Sequence, residues 1–368
     1  MTSKSSPVSR WPLTAVDLFA GAGGASQGLR EAGFSVLGAV EYEADAARTY
    51  RANHPQAILW ERDIRKVQAT SMMNALGLVP GQLTLLKACP PCQGFSSLAE
   101  GRGGSTDDPR NDLVLDVTRF VRAFRPAIVL MENVRGLGRD PRAGAVAESL
   151  KGLGYSTKSY LVNATDFDVP QNRTRFILLA VRGLKKTLPD KLSSVSVGIR
   201  TSVRAAFRDL EDEVAPEDQL HRPAKVAPIV QSRINAIPAG GSRFDLPPDL
   251  QLDCHKRLSD RSASGSYGRM RWDEPAPTMT TRCTTPACGA FIHPDLNRPI
   301  TLREAAAIQT FPAKYQFIGS RAAIERQIGN AVPIRMASKI ALKALDVWLD
   351  GPSDRVRPIQ MAIGAGTE

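Results

Sequence analysis

Residues 14–29 read T-A-V-D-L-F-A-G-A-G-G-A-S-Q-G-L, and this stretch decides the fold. The apolar run 14–19 predicts a buried strand, the glycines predict a tight turn, and residues 25–32 predict a helix. A strand that passes through a glycine-rich turn into a helix is typical of the cofactor edge of a doubly wound sheet, because small residues let a ligand approach the backbone. We therefore expect a Rossmann-like α/β sheet whose first turn holds a cofactor.

Acidic residues follow the next two predicted strands. Glu41 is placed to hydrogen-bond a ribose and Asp63 to accept from an exocyclic amine, while Phe19 can stack on a purine. A dinucleotide fingerprint would have glycine at Ser26, and its pyrophosphate would lie on the helix N-terminus. The observed spacing, G-x-G-G-x-x-x-G, favours S-adenosylmethionine over NAD. The alternative that both carboxylates are merely exposed strand ends stays open.

The pattern of alternating helices and strands continues along the chain. Helical spacing covers 113–124 and 141–153, and strands are predicted at 83–86, 127–131, 155–162 and 176–181. Such alternation predicts a largely parallel sheet, whose ligand site lies at the carboxyl ends of the strands. One rim should therefore carry Phe19, Glu41, Asp63, Cys92 and Glu132.

Residues 88–96 read A-C-P-P-C-Q-G-F-S and place Cys92 on a rigid turn after a buried strand. The spacing C-x-x-C leaves three interpretations open. Cys89 and Cys92 can be a redox pair, or half of a zinc site completed by Cys283 and Cys288 or by Cys254 and His255. Alternatively, Cys92 is a nucleophile, which requires a thiolate with a lowered pKa or an adjacent base.

The amino-acid composition limits the kinds of protein that this chain can be. With 368 residues and 42% apolar content, the chain can build more than one domain. Five cysteines do not make a disulfide framework, so a reducing, cytoplasmic compartment is expected. Neither a signal peptide nor a membrane span is predicted. The net charge of +11 indicates a polyanionic partner.

At this point the chain resembles the cytosine-5 DNA methyltransferases. The matching blocks, in the family's order, are D-L-F-A-G-A-G-G at 17–24, Glu41, Asp63, P-P-C-Q-G-F-S at 90–96, E-N-V at 132–134, Q-N-R-T-R at 171–175 and Q-I-G-N-A-V-P at 327–333. The resemblance implies an S-adenosylmethionine-dependent enzyme of bacterial type that acts on double-stranded DNA as a monomer without a metal. A restriction endonuclease can accompany it, with no stable complex expected.

The resemblance also assigns roles to residues. Cys92 attacks cytosine C6, and Glu132, which must be protonated at that step, hydrogen-bonds N3 and the exocyclic amine. Arg173 and Arg175 order the site, and Arg173 steadies the thiolate, the base O2 or a phosphate; the alternative is a surface ion pair. The expected cofactor contacts are Phe19, Gly21, Gly23, Gly24, Glu41, Asp63, Ile64, Pro91, Leu113 and Asn330. The expected DNA contacts are Gln93, Ser96, Arg102, Arg110, Arg269 and Arg271.

Domains follow from the same blocks. We expect a large catalytic domain at 12–183, a small target-recognition domain at 184–299, a return to the large domain at 300–350, and disordered tails at 1–11 and 352–368. The duplex hides C6, so the target base must flip out of the helix, and the Gly/Ser-rich loop 93–112 has the composition of a lid over it.

The sequence departs from the family's pattern at two positions. Cys89 stands where glycine usually precedes P-P-C, where it can narrow the pocket or form a disulfide with Cys92 under oxidation, and Ile334 stands where a second proline is common. Two rival functions are a tRNA methyltransferase of the same fold and a non-catalytic DNA-binding relative. The tRNA branch carries a C-F-T tripeptide, whereas residues 282–285 read R-C-T-T. A non-catalytic relative should lack Cys92 or Glu132, and both are present.

Overall fold

The computed structural model describes residues 11–91, 108–184, 186–193, 201–211, 217–256, 263–350 and 358–359. Contacts divide the chain into two compact units. The first comprises Met1–Val162, Thr174–Ser194 and Ala337–Glu368, and the second comprises Asn163–Arg173 and Val195–Met336. Residues 300–336 thus group with the second unit, whereas the sequence predicts that they return to the large domain. The domain boundaries at 183 and 299 stay a prediction.

The first unit is built on a sheet of seven strands. Their order across the sheet is β4-β3-β2-β5-β6-β8-β7. The strands are β2 (Thr14–Leu18), β3 (Ser35–Glu41), β4 (Ile58–Glu61), β5 (Leu85–Ala88), β6 (Ile128–Val134), β7 (Tyr155–Asn163) and β8 (Thr174–Arg182). The predicted α/β class is confirmed, because each predicted strand is present with ends shifted by a few residues.

Strands β2 to β6 run parallel to one another. Every residue of β2 and β5 is buried, as expected for strands covered on both faces. Strand β8 is the exception, because it pairs antiparallel with β6, with Glu132 opposite Ile177. It follows β7 after residues 164–173, a connection too short for the crossover that a parallel strand needs. The carboxyl ends of β2, β3, β5 and β6 therefore share one edge.

Among the described residues of the first unit, five helices precede the strand β7: α1 (Gly24–Glu31), α2 (Ala44–Asn53), α3 (Ala69–Ala75), α4 (Leu113–Phe124) and α5 (Pro141–Gly152). Helix α4 shows why these segments fold as they do. Val114, Val117, Val121 and Phe124 recur at helical spacing and are fully buried in the sheet's core. The predicted bounds of α4 agree with the structure.

The second unit contains α6 (Val203–Glu211), α7 (Pro228–Ala236), α8 (Asp253–Lys256), α9 (Leu302–Ile308) and α10 (Arg321–Asn330). Helix α11 (Ile334–Leu349) begins in this unit and continues into the first. Much of the second unit is irregular, and a small core of Ile234, Ile237, Leu246, Tyr267 and Ile292 holds part of it together.

The chain ends meet in a short ladder. Strand β1 (Trp11–Pro12) pairs parallel with β9 (Pro358–Ile359). Trp11 and β9 lie within the segments predicted to be disordered tails, whereas Pro12 is the first residue of the predicted large domain. The rest of those predicted tails lies outside the described residues.

Candidate active site

The glycine-rich turn lies between β2 and α1. Phe19, Gly21 and Gly23 have positive φ angles of 60°, 57° and 91°. Residues other than glycine rarely adopt this backbone conformation. A Cβ atom placed on Gly21 would meet nothing within 4 Å. Gly24 is buried and begins α1. The turn therefore leaves open space directly beside its backbone, which is what a closely held ligand requires.

Glu41, at the end of β3, reaches this turn. One carboxylate oxygen, Oε2, accepts from the backbone N–H of Gly21 at 2.6 Å, and Oε1 accepts from Tyr42 at 2.8 Å and Glu43 at 2.7 Å. Burial raises the pKa of Glu41, and these N–H groups oppose that shift. A carboxylate offers about four acceptor positions, so one remains for an outside donor.

Asp63 begins a 3-10 turn, Ile64–Lys66, that follows β4. Its carboxylate accepts from the backbone N–H of Arg65 at 2.9 Å and from the guanidinium of the same residue at 3.0 Å. This hydrogen bonding lowers the pKa of Asp63. Ile64 is buried, and its carbonyl oxygen accepts from Arg119.

The sequence analysis missed Tyr42, whose side chain is 69% exposed directly after Glu41. The available signal was an aromatic residue directly behind an acidic strand end. The exposed ring is accessible to a ligand.

A second group that the sequence analysis missed lies beneath the turn. The hydroxyl of Ser26 donates to Asp17 Oδ2 at 2.7 Å and lies 2.9 Å from the hydroxyl of Tyr50. The other oxygen of Asp17 lies 2.9 Å from the ammonium of Lys87, on the neighbouring strand. Ser26 stands where a dinucleotide fingerprint has glycine, and it ties α1 to the sheet. Opposite charges in two apolar strands were the available signal.

Glu132 lies on β6 beside the Pro-Pro turn that follows β5. Its Oε1 is 2.9 Å from Arg175 Nε, and its Oε2 accepts from the thiol of Cys89 at 2.8 Å. The next residue, Asn133, donates from Nδ2 to the carbonyl oxygen of Pro90 at 2.9 Å. The E-N-V block is therefore joined by two side-chain hydrogen bonds to Cys89 and Pro90, the residues that follow β5.

The other predicted site residues differ in how far the structure describes them. Pro91 is half-buried at the end of the described segment, whereas Cys92, Gln93, Ser96 and Arg102 lie outside the described residues. Arg110, also predicted to bind phosphate, forms a two-point ion pair with Asp108. Leu113 packs partly buried against the core, and Asn330 is exposed at the end of α10.

Arg173 is buried in the second unit. Its guanidinium donates to the carbonyl oxygens of Met279 at 2.8 Å, Gly329 at 3.0 Å and Ala331 at 3.2 Å. These contacts join the Q-N-R-T-R block at 171–175 to the Q-I-G-N-A-V-P block at 327–333 and to Met279. The fit is close, because a Cβ on Gly329 would lie 2.1 Å from the carbonyl oxygen of Thr280. The geometry assigns Arg173 a structural role, and its predicted contact with thiolate, base or phosphate stays a prediction.

Arg269, which is predicted to contact DNA, is buried. Its guanidinium donates to the backbone carbonyl oxygens of residues 234, 237, 293 and 296 and to the side chain of Asn297. Those acceptors use all the N–H groups of a guanidinium, so nothing in this arrangement is left to bind DNA. Arg271 is exposed and paired with Glu274, and it remains the accessible member of the predicted pair.

Sequence similarity identifies the protein family of the chain. The model of the family described as "C-5 cytosine-specific DNA methylase" matches residues 13–345. The chain belongs to the C-5 cytosine-specific DNA methylases. Similar relatives include the Type II methylase M.HgiDII of Herpetosiphon aurantiacus, 33% identical over 93% of this methylase and 97% of the relative. The Type II methyltransferase M.Eco47II of Escherichia coli is 32% identical over 89% and 80% of the respective chains.

Solved structures agree on the fold of the methylase. A protein described as a DNA modification methyltransferase encoded within a prophage of E. coli is 27% identical, with a TM-score of 0.66 over 92% of this chain and 99% of its own. The S. pombe Dnmt2 methyltransferase, at 18% identity and a TM-score of 0.64 over 91% and 98%, shows the fold alone. The methylase therefore has the fold of S-adenosylmethionine-dependent methyltransferases and is a DNA (cytosine-5)-methyltransferase.

The described residues were also expected to hold no metal. No three His, Cys, Asp or Glu side chains there gather as a metal site would require. Cys283 is fully buried and Cys254 exposed. In the same residues no helix has the length and apolar character needed to span a bilayer.

Proposed function

We propose that the methylase flips a target cytosine out of duplex DNA and methylates C5 through a covalent bond between Cys92 and C6. The observation that carries this proposal is the position of Glu132. A carboxyl group lies at the carboxyl end of the sheet, held by Arg175 and joined to the turn that leads into Cys92. A base bound there would meet an acid and a nucleophile from adjacent strands.

The chemistry requires both groups. Cytosine C5 is too electron-poor to accept a methyl group directly. When the Cys92 thiolate bonds to C6, the C5=C6 electron pair shifts to C4=C5, and the C4=N3 pair takes a proton from Glu132. The resulting enamine is nucleophilic at C5. After methyl transfer, the C5 proton passes to water, the C5=C6 bond forms again as the thiolate leaves C6, and N3 returns its proton to Glu132. These steps restore the aromatic ring and the free enzyme.

S-adenosylmethionine, when bound, supplies the electrophilic methyl group. The residues present fit it, since open space faces Gly21 and Glu41 retains an acceptor position for a ribose hydroxyl. Asp63 would accept from the adenine amine, and Tyr42 and Phe19 would offer ring faces. Gly23, Gly24, Ile64, Pro91, Leu113 and Asn330 complete the proposed set.

The DNA contacts belong to the same proposal. The net charge of +11 favours a phosphate backbone, and Gln93, Ser96, Arg102, Arg110 and Arg271 are the proposed side chains on duplex DNA. We further propose that the methylase acts as a monomer in a bacterial cytoplasm, alongside a restriction endonuclease that recognises the same site. The Type II relatives support the last point by name.

The test replaces the thiol. Cys92→Ser should abolish transfer of tritiated methyl groups to DNA while duplex binding in a gel shift persists, because only the covalent step needs the thiolate. Cys254→Ser, which changes an exposed thiol of the second unit, is the matched control and should keep full activity. Methyl incorporation that survives in Cys92→Ser would remove Cys92 from the mechanism.

A further inference from the structure

Cys89 is the one departure from the family's pattern that touches a proposed catalytic group. Its backbone N–H donates to the carbonyl oxygen of Leu18 at 3.2 Å, which fixes the residue between the ends of β2 and β5. Its half-buried thiol donates to Glu132 Oε2 at 2.8 Å. A glycine at this position would have no side chain to make that contact.

The two oxygens of Glu132 meet different partners. The Nε of Arg175, from β8, lies 2.9 Å from Oε1, while the thiol of Cys89, from the end of β5, approaches Oε2. Strands β5 and β8 flank β6 on its two sides. Contacts on both oxygens from opposite sides fix the rotation of the carboxyl plane, which a single contact would leave free.

Charge distinguishes the two oxygens. The guanidinium of Arg175 favours negative charge on Oε1, so a proton on Glu132 is more stable on Oε2. The thiol can still donate to the remaining lone pair of a protonated Oε2. Among the described residues, the buried ammonium of Lys87 is a further charged group that interacts with both Cys89 and Glu132, and it is itself paired with Asp17.

We propose that Cys89 is a positioning residue that gives the two oxygens of Glu132 separate roles. Oε2 carries the proton that passes to cytosine N3, and Oε1 accepts from the exocyclic amine of the same base. In that step the Oε2–H bond breaks and the N3–H bond forms, while Cys89 keeps its hydrogen. This assignment rests on the proposed function.

The test separates the donor from the volume of the side chain. Cys89→Ala removes the thiol that donates to Glu132, and Cys89→Ser replaces it with a hydroxyl, which is a donor of similar size. Losing one such hydrogen bond should lower kcat by about three- to tenfold. The KM values for DNA and S-adenosylmethionine should not change, because the contact orients a proton rather than a ligand. Cys89→Ser should recover most of the lost kcat. Cys288→Ala, at another half-buried thiol, is the control for general effects of thiol removal.

The outcomes are distinguishable. An unchanged kcat in Cys89→Ala would overturn the assignment. Equal losses of kcat in Cys89→Ala and Cys89→Ser would also overturn it, because kcat would then not depend on a hydrogen-bond donor at this position. Thermal unfolding of each variant identifies any loss that comes from misfolding. Cys92→Ser is assayed in parallel: if it is inactive while Cys89→Ala keeps its kcat, only this inference fails, whereas an active Cys92→Ser overturns the proposed function itself.

Discussion

Asp63 is held by Arg65 through both carboxylate oxygens, so a bound adenine amine would have to share or displace that ion pair. We predict that Asp63→Ala weakens S-adenosylmethionine binding by roughly 1–3 kcal/mol, the effect of losing one hydrogen-bond partner. Arg65→Ala is the matched control, because it breaks the same ion pair but keeps the acceptor, and it should bind at least as tightly as the parent. Calorimetry measures both. Equal weakening in the two variants, or tight NAD binding, would contradict the adenine assignment.

His54 makes stability depend on pH. Its Nε2 lies 3.2 Å from the carbonyl oxygen of Gly23, and burial, followed by the charge of Arg30, lowers its pKa from 6.5 to about 4. Below about pH 6.5, His54 therefore binds a proton in the unfolded chain but stays neutral in the folded state. The contribution of neutral His54 to the free energy of unfolding is complete above about pH 6.5. It is lost as the pH falls toward 4, and the total loss is roughly 3 kcal/mol.

Urea unfolding at about pH 7 and about pH 5 checks this. The parent should lose stability between the two, and His54→Gln should lose less. Burial also lowers the pKa of His293 to about 4, so part of the slope should remain until both residues are replaced. An unaltered slope in His54→Gln would assign the pH dependence to other groups.

At the scale of elements, the buried pair of Asp17 and Lys87 links β2 to β5. Burial opposes the charge of Lys87, but Asp17, Cys89 and Glu132 outweigh it and raise its pKa. We predict that Lys87→Met destabilises the fold by about 3–5 kcal/mol, because it leaves Asp17 buried without a cation. Adding Asp17→Asn should relieve part of that loss. If the two effects simply add in denaturant titrations, the residues do not interact.

The strands of the sheet and the helices of the same unit were predictable from the sequence, since β2 and β5 are apolar runs and α4 has regular helical spacing. The sequence could not predict the antiparallel direction of β8, which depends on the geometry of a short connection. The family's blocks assigned Glu132 and Arg175 to one site, but they did not predict the ion pair between the two side chains. The contacts of Cys89 and the burial of Arg269 were not predicted either, because local pattern carries no information on which distant carbonyl or carboxylate a side chain will meet.

For the whole molecule, we predict that the recognised sequence is set by residues 184–272. The catalytic rim meets only the flipped base, whereas reading a sequence requires side chains at base edges. Exchanging this segment for that of a relative with another site should move methylation to the relative's site and keep its dependence on Cys92. Arg271 is the accessible basic residue we expect at the contact edge. Genome-wide methylation mapping decides, and an active chimera that marks the original sequence would assign recognition to the catalytic domain.

The strand order also governs how a growing polypeptide matures. Strand β8 lies between β6 and β7 although it is synthesised after both. A chain on the ribosome therefore holds Glu132 on a strand whose outer edge is open until residues 174–182 have emerged, and Arg175 arrives only with them. Open edges invite pairing with other chains. A product cut short before residue 174 would thus be prone to aggregation and degradation, and no half-built enzyme would persist to act on the genome.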